Sequence, residues 1–191
     1  MLDVPVRQAA QAAAIRLNVL QKEHIAEPYL QQTGLLHELN PSSLNTLRIV
    51  TGRHSDGSFT LHDAYLRLRH AGSIIDNVTS GGVAFMVDFT TGRIGRARDY
   101  KGLCYEKHPD TGQKITGMYV PRWQEAVDFV LSAHRAAPEG LILVGWDVCI
   151  CEDEMYMIEV NCGPGQDTPE PWNRNPWKAT VALLEEKEAD G

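Results

Sequence analysis

No stretch of this chain is apolar for long enough to cross a bilayer, and its first residues carry no signal-peptide pattern. By default the sequence therefore reads as cytoplasmic, with no membrane partner. Long basic runs are missing too, and the net charge is −7, which disfavours nucleic acid as a partner. Repeats and low-complexity segments are absent. Cysteine is scarce. Cys104, Cys149, Cys151 and Cys162 form no C-x-x-C pair, so zinc-ligand spacing is lacking. Cys149 and Cys151 lie two apart on one expected strand, which is poor geometry for a bridge. All four read as buried free thiols in a reducing compartment. Disorder is excluded by an ordinary balance of 43% hydrophobic and 23% charged residues. The 191 residues suffice for one domain with a sizeable core.

Chemistry is densest between Gly145 and Gly165, GWDVCICEDEMYMIEVNCGPG. Leu141 to Ile150 and Met155 to Val160 are apolar and β-branched, and the acidic Glu152-Asp153-Glu154 between them suits a hairpin loop. A turn centred on Asp153 sets Asp147 opposite Glu159. Alternation then puts Asp147, Glu159 and Asn161 on one face. Two facing carboxylates repel, and a divalent cation is the simplest compensator. Carboxylate and amide oxygens suit Mg²⁺ or Mn²⁺ better than Zn²⁺. The same pattern also fits a hairpin whose acids face water. On the metal reading, Asp147→Asn and Glu159→Gln relieve repulsion and leave the fold intact or even stabilised.

Before that hairpin, residues 6–18 are alanine-rich and helix-favouring, and residues 19–25 read as a strand. A short helical run, Tyr29 to Leu39, ends in the turn cluster Asn40-Pro41-Ser42-Ser43. LNTLRIVTGR is a strong strand. Its Arg48 is a charge inside an apolar run and calls for an anion, whether a ligand or a structural salt-bridge partner. Asn45 orients that arginine or caps the turn. Residues 59–70 form another strand with Arg67 and Arg69 on one face. Ser80-Gly81-Gly82 is either an anion nest or a plain glycine turn. Val83 to Phe89, the turn Thr90-Thr91-Gly92 and Arg93 to Asp99 make a hairpin, with Arg96 and Arg98 on one face. His108-Pro109-Asp110-Thr111-Gly112 is a turn by composition. Pro121 opens a helix to about Ala136, whose stripe of Trp123, Ala126, Val127, Val130 and Leu131 is core. Prolines interrupt the chain after Gly165. A last helix, Trp177 to Glu188, turns Trp177, Val181 and Leu184 inward.

Four of these stretches, Asn45–Thr51, Asp76–Gly82, His108–Gly112 and Gly145–Asn161, occur in the order found in the sugar-transfer-associated ATP-grasp family. The sequence resembles that family over residues 45 to 161. The resemblance implies an α+β fold, an antiparallel sheet flanked by helices, like the C-terminal half of an ATP-grasp fold. It implies an ATP- and Mg²⁺-dependent (or Mn²⁺-dependent) ligase that activates a carboxylate as an acyl phosphate for attack by an amine or other nucleophile. Asp147, Glu159 and Asn161 would be the metal ligands. Arg48 and His108 would act at the reacting groups. Gln21, Lys22, Glu23 and Ile25 match a hinge strand that reads adenine and ribose, and Asn77, Gly81, Gly82, Lys101 and Lys107 lie where phosphates are held. Residues 1–18 then read as a helical remnant or linker and 19–191 as the ATP-grasp-like domain. A first lobe is expected ahead of the hinge, and one helix cannot form it. The exposed docking surface would favour a homodimer or a partner chain.

Two other classes fit parts of the pattern. A noncatalytic nucleotide- or metal-binding scaffold suits a chain without a closing lobe. Metal-dependent hydrolysis would need a general base, for which His108 is the candidate. A glycosidase pair is disfavoured, because acids on adjacent strands sit too close to admit an activated water.

Overall fold

A computed structural model describes residues 30–41, 43–68, 82–98, 103–163 and 176–189. Contacts divide the chain into Met1–Gln31 and Gln32–Gly191, and every element below lies in the second unit. The expected N-terminal helix and hinge strand fall outside the described residues. So do Gln21, Lys22, Glu23, Ile25, Asn77, Gly81 and Lys101.

The described elements are α1 (Leu35–Leu39), β1 (Thr46–Arg53), β2 (Phe59–Leu68), β3 (Val83–Val87), β4 (Ile94–Arg98), β5 (Cys104–Tyr105), α2 (Trp123–Ala136), β6 (Leu143–Ile150), β7 (Met155–Cys162) and α3 (Pro176–Ala189). The strands pair antiparallel throughout, in the order β5-β4-β3-β2-β1-β6-β7. This is the expected α+β class.

β1 explains how the faces divide. All eight of its residues are buried, four of them polar or charged, because the strand is paired on both sides and covered on both faces. Side chains alternate, so Leu47, Ile49, Thr51 and Arg53 share one face, and Thr46, Arg48, Val50 and Gly52 share the other. The first face carries the main core with Leu66, Phe85, Trp146 and Val148, under Trp123, Ala126, Val127 and Val130 of α2. Those four α2 residues belong to the stripe read from the sequence.

α3 packs on the second face. A β-carbon at Gly52 would fall 2.8 Å from Leu183 and 2.3 Å from the His62 ring. Here the expected stripe is corrected. Thr180 and Leu183 are buried, while Val181 and Leu184 are 45% and 44% exposed. Leu183 and Leu184 lie about 100° apart around the helix, so either could have turned inward. The notch left by Gly52 receives the His62 ring and Leu183 together. The cysteine expectation is also corrected in part. All four thiols are free, but only Cys149 and Cys151 are buried, while Cys104 and Cys162 lie exposed on the outer strands β5 and β7. Among the described residues no helix is long and apolar enough to cross a membrane.

A buried polar chain ties α2 to the sheet. Trp146 Nε1 donates to Thr51 Oγ1 at 2.7 Å, and Thr51 Oγ1 lies 2.7 Å from His134 Nδ1. His134 Nε2 lies 2.8 Å from the Leu141 carbonyl and must donate to it. The threonine hydroxyl then donates to Nδ1, which leaves His134 neutral. Burial holds its pKa below the ordinary histidine value, and the nearby Arg53 charge acts the same way, against the Leu141 hydrogen bond. In the unfolded chain the ring protonates near the usual value of about 6.5. Stability from this histidine is therefore complete above that pH and is lost as pH falls from there towards the folded-state pKa. Urea unfolding at pH 7.5 and pH 5.5 should show the loss, and His134→Gln should show a shallower one. An equal loss in the variant would assign it to other groups.

Candidate functional site

The hairpin β6–β7 carries the candidate residues, and one irregularity aims them. From its loop outward, Ile150 pairs with Met155, Cys149 with Tyr156 and Val148 with Met157. The register then shifts. Asp147 pairs with Glu159, Trp146 with Val160 and Gly145 with Asn161, which leaves Ile158 as the extra residue of a β-bulge. Uninterrupted pairing would set Ile158 opposite Asp147 and send Glu159 and Asn161 to the α2 face. The predicted pairing of Asp147 with Glu159 is therefore present, but the bulge produces it, and a symmetric turn about Asp153 does not.

The predicted repulsion is answered from the other side. Arg48 is the cross-strand partner of Asp147 on β1. Its Nε and Nη2 donate to the two oxygens of Asp147, the Nη2 bond being 2.7 Å. Arg67 on β2 donates from Nη1 to Oδ2 at 2.9 Å. Asp147 is 2% exposed and Arg48 6%. Burial alone would lower the pKa of Arg48, but the hydrogen bond and charge of Asp147, with lesser help from Tyr65 and Glu159, leave it raised. The structural salt bridge and the anion-seeking arginine are thus one observation: the anion is Asp147. Arg67 is the member of this cluster that sequence reasoning did not single out as a site residue. Its place in the alternating run 59–70 was visible, but its strand's register against β1 was not.

The other expected ligands differ in state. Glu159 is exposed and carries no hydrogen bond or ion pair among the described residues. The Nδ2 of Asn161 is buried without a partner. The exposed carboxylate of Glu159 and the amide oxygen of Asn161 are hard oxygen donors of the kind a divalent cation takes, whereas the unpartnered Nδ2 calls for an acceptor such as a phosphate or carboxylate oxygen. Asp147 would join them only by sharing its oxygens with two guanidinium groups. Among the described residues no group of three or more His, Cys, Asp or Glu side chains converges as a metal site. On the same face the Cys149 thiol is pushed up to about 12 by burial, with Cys151 adding to the shift, and it is inert as a nucleophile near neutral pH.

The remaining candidates are built into loops. His108 is fully buried, and its Nδ1 accepts the backbone N–H groups of Asp110 and Thr111, each at 3.3 Å. Gly112, at φ +69°, closes that turn by donating to the His108 carbonyl. Asn45 is fully buried, and its Nδ2 donates to the carbonyls of Leu36 and Asn40. It caps the turn into β1, one of its two expected roles. Gly82 is half-buried at the start of β3, and Lys107 is exposed and bridged to Lys114 through the backbone. Arg96 pairs with Glu106 at 2.7 Å on an exposed surface, where a salt bridge contributes little.

Two guanidinium groups, two carboxylates and an amide thus share one face of an antiparallel sheet in an α+β protein. The model of the family described as sugar-transfer associated ATP-grasp matches residues 14–171, and the chain belongs to that family. No curated protein and no solved structure matches it. Membership brings an ATP-grasp-type function in a sugar-transfer context, with ATP and divalent-metal binding as general features of the fold.

Proposed function

We infer that the chain serves an ATP- and Mg²⁺-dependent ligase that activates a carboxylate as an acyl phosphate. The observation that carries this reading is the bulge at Ile158, which turns Glu159 and Asn161 to the face of Asp147, Arg48 and Arg67. Glu159 and the amide oxygen of Asn161 would hold the cation, with Asp147 as third donor. A bound Mg²⁺ or Mn²⁺ supplies charge neutralisation on the phosphate oxygens. Until nucleotide arrives, Asp147 keeps the two guanidinium groups paired and aimed. A guanidinium fork matches carboxylate and phosphate equally well, so Arg48 and Arg67 would exchange Asp147 for phosphoryl oxygens without changing geometry. A substrate carboxylate oxygen then attacks the γ-phosphorus, the bond to ADP breaks, and an amine or other nucleophile later displaces phosphate from the acyl carbon. The work of the residues is positioning and charge neutralisation.

The second reading, a noncatalytic nucleotide- or metal-binding module, draws on the burial of His108 within its own loop and on the saturation of Asp147 by arginine. Association with a second copy or a partner chain draws on Ile158 and Val160, which are exposed on the outer strand β7.

Calorimetric titration of ATP with and without Mg²⁺ tests the main reading. Wild type should bind in a Mg²⁺-dependent way, and Glu159→Gln should weaken that binding by about tenfold or more, the loss of one charged ligand. The exposed Glu159 lets the variant fold normally. Undiminished Mg²⁺-dependent affinity in Glu159→Gln would remove the metal assignment. ADP formed only when acid and nucleophile are both supplied would mark a ligase, and binding without turnover would mark the module.

A further inference from the structure

We propose that a second anion site lies at the far end of β1, where Arg53 and Arg135 flank Phe59, and that it takes the oxyanion group of a ligand, phosphate or carboxylate. Arg53 lies five residues from Arg48, roughly 16 Å along an extended strand, and on the opposite face. The two sites are therefore distinct. A pocket opens there between the β1–β2 turn and the end of α2, lined by Arg53, His54, Ser55, Phe59, Arg135 and Glu139.

The state of Arg53 points to a ligand. It is 7% exposed, yet it forms no ion pair with any described carboxylate. One nitrogen, Nη2, donates to the carbonyls of His134 and Ala137 at 2.5 and 2.9 Å, which caps the last turn of α2. That contact accounts for a structural role and uses a single nitrogen. Nε is buried with no partner, and Nη1 makes no hydrogen bond. A nearly buried cation with unspent donors is costly unless an anion completes it. Arg135 brings a second positive charge over the same aromatic ring. The guanidinium carbons of Arg53 and Arg135 stand 5.2 and 5.7 Å from the Phe59 centroid. Contact with the Phe59 ring brings both guanidinium groups to one place, and each can donate to an oxyanion. His54 is already engaged by Glu186 at 2.8 Å and acts as a wall of the pocket. Glu139 is the opposing charge, and it limits affinity for anions.

Amide chemical-shift titrations of the full chain with inorganic phosphate and, separately, acetate test the assignment. Shifts should concentrate at Ser55, Gly57 and Arg135. Arg135→Gln, an exposed change, should weaken the binding about tenfold, and Glu139→Gln should tighten it. Binding of phosphate but not acetate would identify a phosphate-bearing ligand, and the reverse a carboxylate-bearing one. Glu159→Gln should leave these shifts in place, which separates the pocket from the nucleotide face. Absence of shifts with both anions would overturn the proposal, and so would shifts that Arg135→Gln leaves unchanged.

Discussion

Asp147→Asn should cost about 3–5 kcal/mol of folding stability, the usual penalty for removing one partner of a buried ion pair. Sequence reasoning expected the fold to stay intact or even to gain stability, because it saw only Glu159 across the hairpin and expected relief of repulsion. The structure shows Asp147 holding two cations instead, Arg48 through both oxygens and Arg67 through Oδ2. Asparagine keeps one acceptor oxygen but turns an N–H donor towards an Arg48 N–H whichever way the amide lies, because Arg48 donates to both oxygens. It leaves the charge of Arg48, 6% exposed, with only the lesser help of Tyr65 and Glu159. For a chain of this length each kcal/mol moves the melting temperature by about 2–4 °C, so the expected fall is roughly 6–20 °C. A second replacement locates the cause. Arg48→Met added to Asp147→Asn removes the stranded cation and should recover most of the loss, since replacing both members of a buried pair is often close to neutral. A single variant as stable as wild type would mean that the pair does not hold this face together.

That reversal shows what the sequence made legible and what it hid. The elements along the chain were readable because each is dominated by one local signal. LNTLRIVTGR alternates as a buried strand, and the α2 stripe repeats at helical spacing. The pairing of Asp147 with Glu159 could be written down, but its cause could not. A bulge is a one-residue offset that hydrophobic pattern does not encode, and Ile158 resembles its apolar neighbours. The contacts between Arg48, Asp147 and Arg67 were out of reach for a different reason. They join residues separated by 99 and 80 positions, and they depend on β1 lying between β2 and β6, which no local signal specifies. The choice of Leu183 over Leu184 in α3 has the same origin. Helical periodicity allowed both, and the notch at Gly52, far away in sequence, selected one. His108 shows a local contact that the sequence did contain. Its place in a family stretch drew attention to the ring, while the Pro-Asp-Thr-Gly that follows supplies the backbone donors its Nδ1 accepts.

Gly92→Ala should be as damaging as the loss of Asp147, at about 3–5 kcal/mol, and for reasons that leave the candidate site untouched. Gly92 ends the β3–β4 turn at φ +71°, a conformation that costs other residues roughly 1–2 kcal/mol. Its N–H donates to the Asp88 carbonyl at 2.8 Å and its carbonyl accepts from Val120 at 2.9 Å, so the backbone cannot relax freely. A β-carbon there would lie 2.5 Å from Cγ of Trp123 and 2.7 Å from its β-carbon. Both are anchored, since Trp123 begins α2 and its indole N–H donates to the Phe89 carbonyl at 3.2 Å. Relief requires that the tryptophan move, and displacing a buried aromatic costs several kcal/mol in its own right. The sequence marked Gly92 as a turn residue but gave no sign that its bare Cα is the seat of Trp123. Urea unfolding measures the cost. Titration of ATP with Mg²⁺ at a temperature where the variant is still folded should return wild-type affinity, because neither Gly92 nor Trp123 belongs to the face of Asp147. A cost below about 1 kcal/mol would mean that the indole does not rest on this glycine, and folded protein with weakened nucleotide binding would tie the β3–β4 turn to the site itself.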